Sequence, residues 1–242
     1  MNPMTTTRRG RPPKDQPQLT RSAICEAALT AIDGNGIAAL SMRSVAHQLG
    51  VDAKSLYHHV AGKDDLLDSV ADHLLGQLRA PEPTGDLPTD LTALAHEFRR
   101  VTLAHPEAAS LVLTRQLSTP TGLAPTDAIL SVLHHAGADS QHAVRLVRVL
   151  VAALVGMLLR EVSAGPTFGS SDPEDIARRR RDLESCGLPG VMAAAPYLAR
   201  YDRDEEFEAG LALLVQFVAA QLAHQPGRPS PTRHSALVSP PE

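Results

Sequence analysis

Lys54, Ser55, Tyr57, His58 and His59 crowd together near the end of residues 40–60 and bring an ammonium group, hydroxyls and imidazoles to one short segment. Side chains of these types donate hydrogen bonds to phosphate oxygens and to base edges, so the chemistry within their reach is contact with a DNA groove. They share a face only if the chain beneath them is helical. Leu56 and Val60 recur four residues apart and point inward, which leaves the polar set outside, and Asp52 is placed to cap this helix. Just upstream, Ser41 can cap another helix with Val45, Ala46 and Leu49 on one face, and Gly50 can take the left-handed conformation that ends it before Val51 re-enters the core. Two short helices about a glycine turn form a helix-turn-helix, a hairpin that also occurs in ordinary helical bundles.

The flanking chain decides between those readings. Thr20 can cap a supporting helix with Ile24, Ala27, Ala28, Ala31 and Ile32 at helical spacing, stopped by Gly34 and Gly36. Lys63-Asp64-Asp65 opens a further helix, with acids at its positive dipole end and Leu66, Leu67, Val70, Leu74 and Leu78 behind them.

In this arrangement the chain resembles the TetR family of one-component transcriptional regulators. The likeness rests on the ungapped run Gly36-Ile37-Ala38-Ala39-Leu40-Ser41-Met42-Arg43, on Leu49-Gly50-Val51, on Ser55-Leu56-Tyr57-His58-His59-Val60, on Lys63 and on Leu66-Leu67-Asp68. Beyond the first third of the chain, Phe98-Arg99 and Ala104-His105 are similar to the tetracycline-repressor-like branch. The resemblance implies an all-α fold, an N-terminal three-helix helix-turn-helix DNA-binding domain followed by a larger helical ligand-binding and dimerisation domain. It implies Arg43 as a base reader, Lys54 and Ser55 as contacts to bases and backbone, and Tyr57 against a phosphate or a thymine methyl. It also places His58 at the next, often aromatic, position and gives Lys63 a backbone phosphate. The implied function is that of a repressor released from a palindromic double-stranded DNA operator by a small-molecule inducer, acting as a homodimer without membrane or cofactor. A helical small-molecule-binding protein without a regulatory role is the competing class. An enzyme is a third, although the chain has no glycine-rich phosphate loop, nucleophile elbow or strand alternation.

Length and charge fit a regulator. The 242 residues hold one small module and one domain of ordinary size, and 43% apolar content builds a core, with aromatics at only 3%. Residues 1–65 carry a net charge of +2 and residues 66–242 one of −6, which favours DNA contact at one end only. Residues 1–18 form a basic arm in which Arg9-Gly10-Arg11-Pro12 is similar to an AT-hook that enters an A/T-rich minor groove; a basic tail adding unspecific phosphate attraction is the alternative. Cys25 and Cys186 have no metal-like spacing, and Cys25 adjoins the apolar stripe of the first helix, where a buried thiol is expected. No secretory signal is visible, so the cytoplasm is the expected location. The apolar run 149–159 is 11 residues long against the ~20 needed to span a bilayer, and is expected to be a buried helix.

These readings divide the chain into a flexible arm (1–18), a DNA-binding domain (19–65), a ligand-binding and dimerisation domain (66–224) and a disordered tail (225–242). Proline and glycine across 80–88 mark a hinge. Asp90 is expected to cap a helix running to His105, residues 107–117 to form another, 118–125 a loop, and 126–136 and 141–165 further helices. A short helix at 172–181 is expected to pair its arginines with neighbouring acids, and two more helices follow at 191–201 and 204–224. Val144, Val147, Val151, Leu154, Val155 and Leu158, with Leu211, Leu214, Val215, Val218 and Leu222, give stripes wide enough for a four-helix dimer interface.

The ligand chamber is expected between the helix from Asp90 and the long helix, with Phe98, Arg115, Val112 and Leu94 at its wall. Aligned on Phe98-Arg99 and Ala104-His105, Val112 stands where the tetracycline-repressor-like branch carries a magnesium-binding histidine, while Leu94 and Arg79 occupy polar drug-binding positions. The alignment argues against tetracycline and magnesium, and an apolar pocket with Phe98 and Arg115 near its wall suits a hydrophobic or amphipathic metabolite bearing an acid. His134, His135 and His142 are expected to be solvated, without a metal.

Overall fold

Thr20 accepts a hydrogen bond from the Ala23 amide and starts α1 (Arg21–Ala39), whose Ile24, Ala28 and Ile32 are fully buried. Gly34 stays helical, and the break comes at Gly36 (φ 75°), so of the two expected stops only the second interrupts the helix. The structure, a computed structural model, describes residues 19–115, 119–162 and 169–224. The expected arm with Arg9 and Arg11 and the expected tail lie outside the described residues.

Ser41 and Ser44 close a capping box at the start of α2 (Met42–Leu49), and Gly50 ends that helix with φ 66°. Only glycine takes that conformation without a Cβ penalty. Asp52 accepts from the Lys54 amide at 2.7 Å and begins α3 (Ala53–Leu56), far shorter than the helix expected to reach Val60. Residues 57–60 continue as hydrogen-bonded turns, and one turn of helix cannot stand on propensity alone. Burial of Leu56 (0% exposed) and Val60 (2%) holds it in place. α4 (Lys63–Leu75) carries Asp64 and Asp65 in its first turn and packs Leu66, Leu67, Val70 and Leu74 against α1. Leu78 lies beyond its end, half-buried.

Past the hinge, the cap of α5 (Leu87–Ala104) is Asp86 and not Asp90. The Asp86 carboxylate accepts from the Thr89 amide and hydroxyl, with Pro88 in the first turn. Asp90 is buried and turned back on the hinge, where the Thr84 amide at 2.8 Å, the Thr84 hydroxyl and the Gly85 amide hold its carboxyl below the usual range. α6 (Ala109–Thr114) is shorter than the 107–117 expected. The expected loop 118–125 is instead largely helix: α7 (Pro120–His135) starts from Thr119, which accepts from the Gly122 amide. Proline at a first helical position starts a helix as readily as it marks a turn, while Pro125 lies inside the helix, where it leaves one i→i−4 hydrogen bond unmade.

α8 (Ser140–Val162) and α11 (Arg203–Ala223) are the long helices, and by length and composition alone both could cross a bilayer. The expectation that 149–159 is buried holds for one side of α8 only. Leu146, Val147, Leu150 and Leu158 enter the core, while Val144 and Val149 are exposed. α9 (Pro173–Glu184) buries no side chain and pairs Arg178 with Asp175 and Arg180 with Glu184, and α10 (Pro189–Leu198) packs against it. Among the described residues no β-strand occurs. A single bridge joins Ser170 to Arg200, and there Gly169 lies so close to the Arg200 carbonyl that a Cβ would sit 2.5 Å from its oxygen.

The fold is therefore all-α, a small N-terminal helix-turn-helix unit joined to a larger helical domain. Two apolar cores fill it, one built on α1, α2, α3 and α4, the other on α5, α7, α8 and α11; Phe98 packs against both. The first runs through α4 to Leu75 and takes in Val101, Leu111 and Val112. Arg99 ties the second together, donating to Glu161 of α8 and Asp204 of α11 while its guanidinium lies 4.5 Å from the centre of the Phe207 ring. The Glu161 hydrogen bonds, ahead of those from Asp204, hold the Arg99 pKa well above its usual value.

Candidate DNA interface and ligand chamber

The helix-turn-helix leaves most of the sequence-predicted donors at the surface. Arg43 is exposed at the start of α2, Lys54 is exposed on α3, Ser55 is half-buried, and Tyr57 and His58 are exposed just past the end of α3, with Tyr57 at 54%. Two caps and a left-handed glycine fix how α2 and α3 meet, and the buried Val45, Ala46 and Leu56 set which side chains remain outside. Lys63 has a structural tie that its sequence position does not reveal. Its ammonium donates to the carbonyl oxygens of Ile37 (3.3 Å) and Ala38 (3.5 Å), the last turn of α1, where a cation complements the negative dipole end. Cys25 is buried as expected, and burial pushes its thiol up to about 11.

Leu94, Phe98, Val112 and Arg115, the residues expected at the ligand wall, all line one cavity of about 430 Å³. Its wall comes from Leu75 at the end of α4, from Leu78 just beyond it, and from α5, α6, α7, α8 and α11. Leu91, Leu113, Ile129 and Leu150 also line it without having been singled out for it, and Val151, Leu154, Val155, Leu211, Leu214 and Val215, expected in the dimer stripe, line it as well, because helical periodicity gives a side chain facing a cavity the same spacing as one facing a packed core or a partner. Among the described residues no group of three His, Cys, Asp or Glu side chains could hold a metal ion.

Among the described residues two charged side chains, Arg115 and Glu97, reach this wall, and both are already paired. Arg115 donates to Asp68, to the Asp64 carbonyl at 3.4 Å and to the Asp64 carboxylate at 3.5 Å, all on α4. Glu97 accepts from Arg100 at 2.8 and 2.7 Å and from the Arg79 amide at 2.7 Å; these bonds, the Arg100 ones first, draw its carboxyl down to about 2. The remaining described lining is aliphatic apart from Phe98 and Thr126.

A set of polar links joins the DNA unit to the chamber. Besides Arg115, the Thr119 hydroxyl donates to Asp72 of α4 at 2.6 Å, His105 Nδ1 lies 2.8 Å from the Asp33 carboxylate of α1, and Arg100 donates to the Gln77 carbonyl. α4 thus has its first turns bound to the recognition unit and to Arg115, and its last residues in the chamber wall.

Comparison with known proteins fits this geometry. Residues 24–70 match the model for bacterial regulatory proteins of the tetR family, and residues 80–222 match the tetracyclin repressor-like C-terminal domain. An HTH-type transcriptional regulator of Saccharopolyspora erythraea is 41% identical over 209 residues, spanning 82% of this chain and 87% of that protein. The class A tetracycline repressor of Escherichia coli is 28% identical, covering 84% of this chain and 91% of its own. Among solved structures, Streptomyces coelicolor ActR, a TetR family protein, in complex with actinorhodin superimposes with a TM-score of 0.75 at 27% identity, over 85% of this chain and 99% of that one.

Proposed function

We propose that this chain, which belongs to the TetR family of bacterial regulatory proteins, is a ligand-responsive repressor that acts as a homodimer on a palindromic operator in the cytoplasm. The observation that carries this reading is α4 itself, one rigid helix with its start among the recognition elements and its end in the wall of the chamber. ActR has been solved with actinorhodin and with (S)-DNPA, which supports a ligand role for the corresponding half of this chain.

In this reading Arg43 reads a base edge, Lys54 and Ser55 contact bases or backbone, Tyr57 and His58 approach the backbone or a thymine methyl, and Lys63 adds a phosphate contact. One turn of recognition helix gives little affinity alone, whereas two copies spaced about 34 Å apart engage successive major-groove faces. The pairing surface is the outward side of α8 and α11. Of the residues expected in the dimer stripe, Val147, Leu158, Leu211, Val215, Val218 and Leu222 are buried within the chain and Val151, Leu154, Val155 and Leu214 line the chamber, so the apolar groups left for a partner are Val144, Val149, Leu213 and Phe217.

An effector in the chamber displaces Leu75 and Leu78, swings α4 and alters the spacing of the two recognition units. A coupling of about 1–3 kcal/mol lowers operator affinity roughly 5- to 150-fold. Selection of genomic fragments by the purified protein at a stated salt concentration tests the reading. Recovery of a palindrome bound by dimers supports it; salt-sensitive binding without sequence preference overturns it in favour of a helical binding protein with no regulatory role.

A further inference from the structure

Accepting the chamber as the effector site, we infer that the part of the effector it holds is uncharged, a lipophilic molecule with an aliphatic rather than an ionic complement. The sequence alone, with Arg115 at the wall, favours an acid. The structure removes that basis, because Arg115 already faces two carboxylates, Asp64 and Asp68, so that its surroundings carry one negative charge in excess. The other charged wall residue, Glu97, is matched by Arg100 and by the Arg79 amide, with its side chain only 16% exposed. Neither wall group has charge free for a ligand, the excess negative charge sits on the solvent-exposed carboxylates of Asp64 and Asp68 outside the wall, and the described wall holds no other ionised side chain.

An ion held against this wall sheds part of its hydration and meets no free counter-charge there, a loss that aliphatic contacts do not recover. A neutral molecule loses little and gains contact with leucine, isoleucine, valine and alanine around most of its surface. Phe98 supplies the only ring at the described wall, so stacking on several aromatic faces is not what selects the ligand. Thr126 offers one hydroxyl, enough to orient a single ketone, ester or alcohol oxygen. With about 430 Å³ available, the chamber lies in the range of pockets that enclose drug-sized molecules.

The test uses two fluorescent probes that differ by one sulfonate, neutral phenylnaphthylamine and its anionic counterpart anilinonaphthalene sulfonate, titrated into the full-length protein. Leu154→Trp, which fills the chamber from α8, identifies the signal that arises inside it, and circular dichroism checks that the variant is folded. The neutral probe should bind the chamber about tenfold or more tightly than the sulfonate. Asp68→Asn, which releases one partner of Arg115, should tighten the sulfonate and leave the neutral probe unchanged. Chamber binding of the sulfonate as tight as that of the neutral probe would overturn the inference while leaving the chamber as a ligand site. Signals from both probes that ignore Leu154→Trp would overturn the chamber assignment and the inference with it.

Discussion

Replacing Arg99 by methionine should destabilise the protein by about 3–4 kcal/mol at pH 7, mainly because of what it leaves behind. Asp204 is 83% exposed and returns to water at a cost of about 0–1 kcal/mol. Methionine keeps much of the arginine stem over Phe207. Glu161 is the difficulty: its side chain is 5% exposed, and the substitution strips it of its guanidinium partner. Breaking a buried pair from one side costs about 3–5 kcal/mol when the remaining charge stays ionised. A second route sets a ceiling, since the orphaned carboxyl can take up a proton instead, which for an ordinary glutamate costs about 3.7 kcal/mol at pH 7.

That ceiling moves with pH. At pH 5 the same protonation costs only about 1 kcal/mol, so the penalty should shrink to roughly that value. The sign follows from proton counting: above the ordinary glutamate range the unfolded variant releases a proton that the folded variant retains, so its stability falls as pH rises. Urea unfolding followed by far-ultraviolet circular dichroism, at pH 7 and pH 5 and one fixed protomer concentration, reads both numbers. The double variant Arg99→Met with Glu161→Met should come within about 1 kcal/mol of the parent, because no charge is then left buried. A loss independent of pH, or a double variant as unstable as the single, would refute the assignment of the penalty to Glu161.

Three other outcomes are expected. Glu97→Gln should remove a stabilisation that is full above the ordinary glutamate range and is lost as pH falls from about 4.5 to about 2, so acid titrations of parent and variant should differ at neutral pH and converge at the acid end. Gly169→Ala drives a Cβ against the Arg200 carbonyl, a backbone atom that cannot swing away, and should lower stability by about 1–3 kcal/mol, seen as a reduced Tm. In operator titrations Arg43→Ala should cost about 1–3 kcal/mol on the selected site and relax its sequence preference, whereas Lys63→Ala should weaken all sequences alike and flatten the salt dependence; identical effects on every sequence would contradict the base-reading role of Arg43.

The N-terminal unit was legible because its signals are local. Thr20, Ser41 and Asp52 cap the helices they precede, and Gly50 takes the conformation its position demands. The short extent of α3 was not legible, since Leu56 and Val60 keep helical spacing even where the chain between them runs as turns. Asp90 looked like a cap because it is an acid before an apolar stripe; only the return of the hinge onto its carboxylate shows that Asp86 does that work. The four wall residues came together as expected, yet the pairing of Arg115 with α4 joins positions 47 residues apart, beyond the reach of any local pattern. The division of α8 and α11 between core and outer face was hidden for a related reason: both sides are apolar, and composition does not say which one the rest of the chain covers.

The chamber keeps its ligand-facing surface and its mechanical fastenings on largely separate residues, and this shapes how such a sensor can diverge. Leu91, Ile129, Leu150, Leu154 and Leu211 form wall without carrying any side-chain polar link to α4, so exchanges among them can reshape the cavity for a new lipophile while transmission to the DNA unit is inherited intact. A lineage moving toward a charged effector faces a steeper path. The nearest arginine is already a fastening, and recruiting it for a ligand unties α4 before any new specificity has been gained.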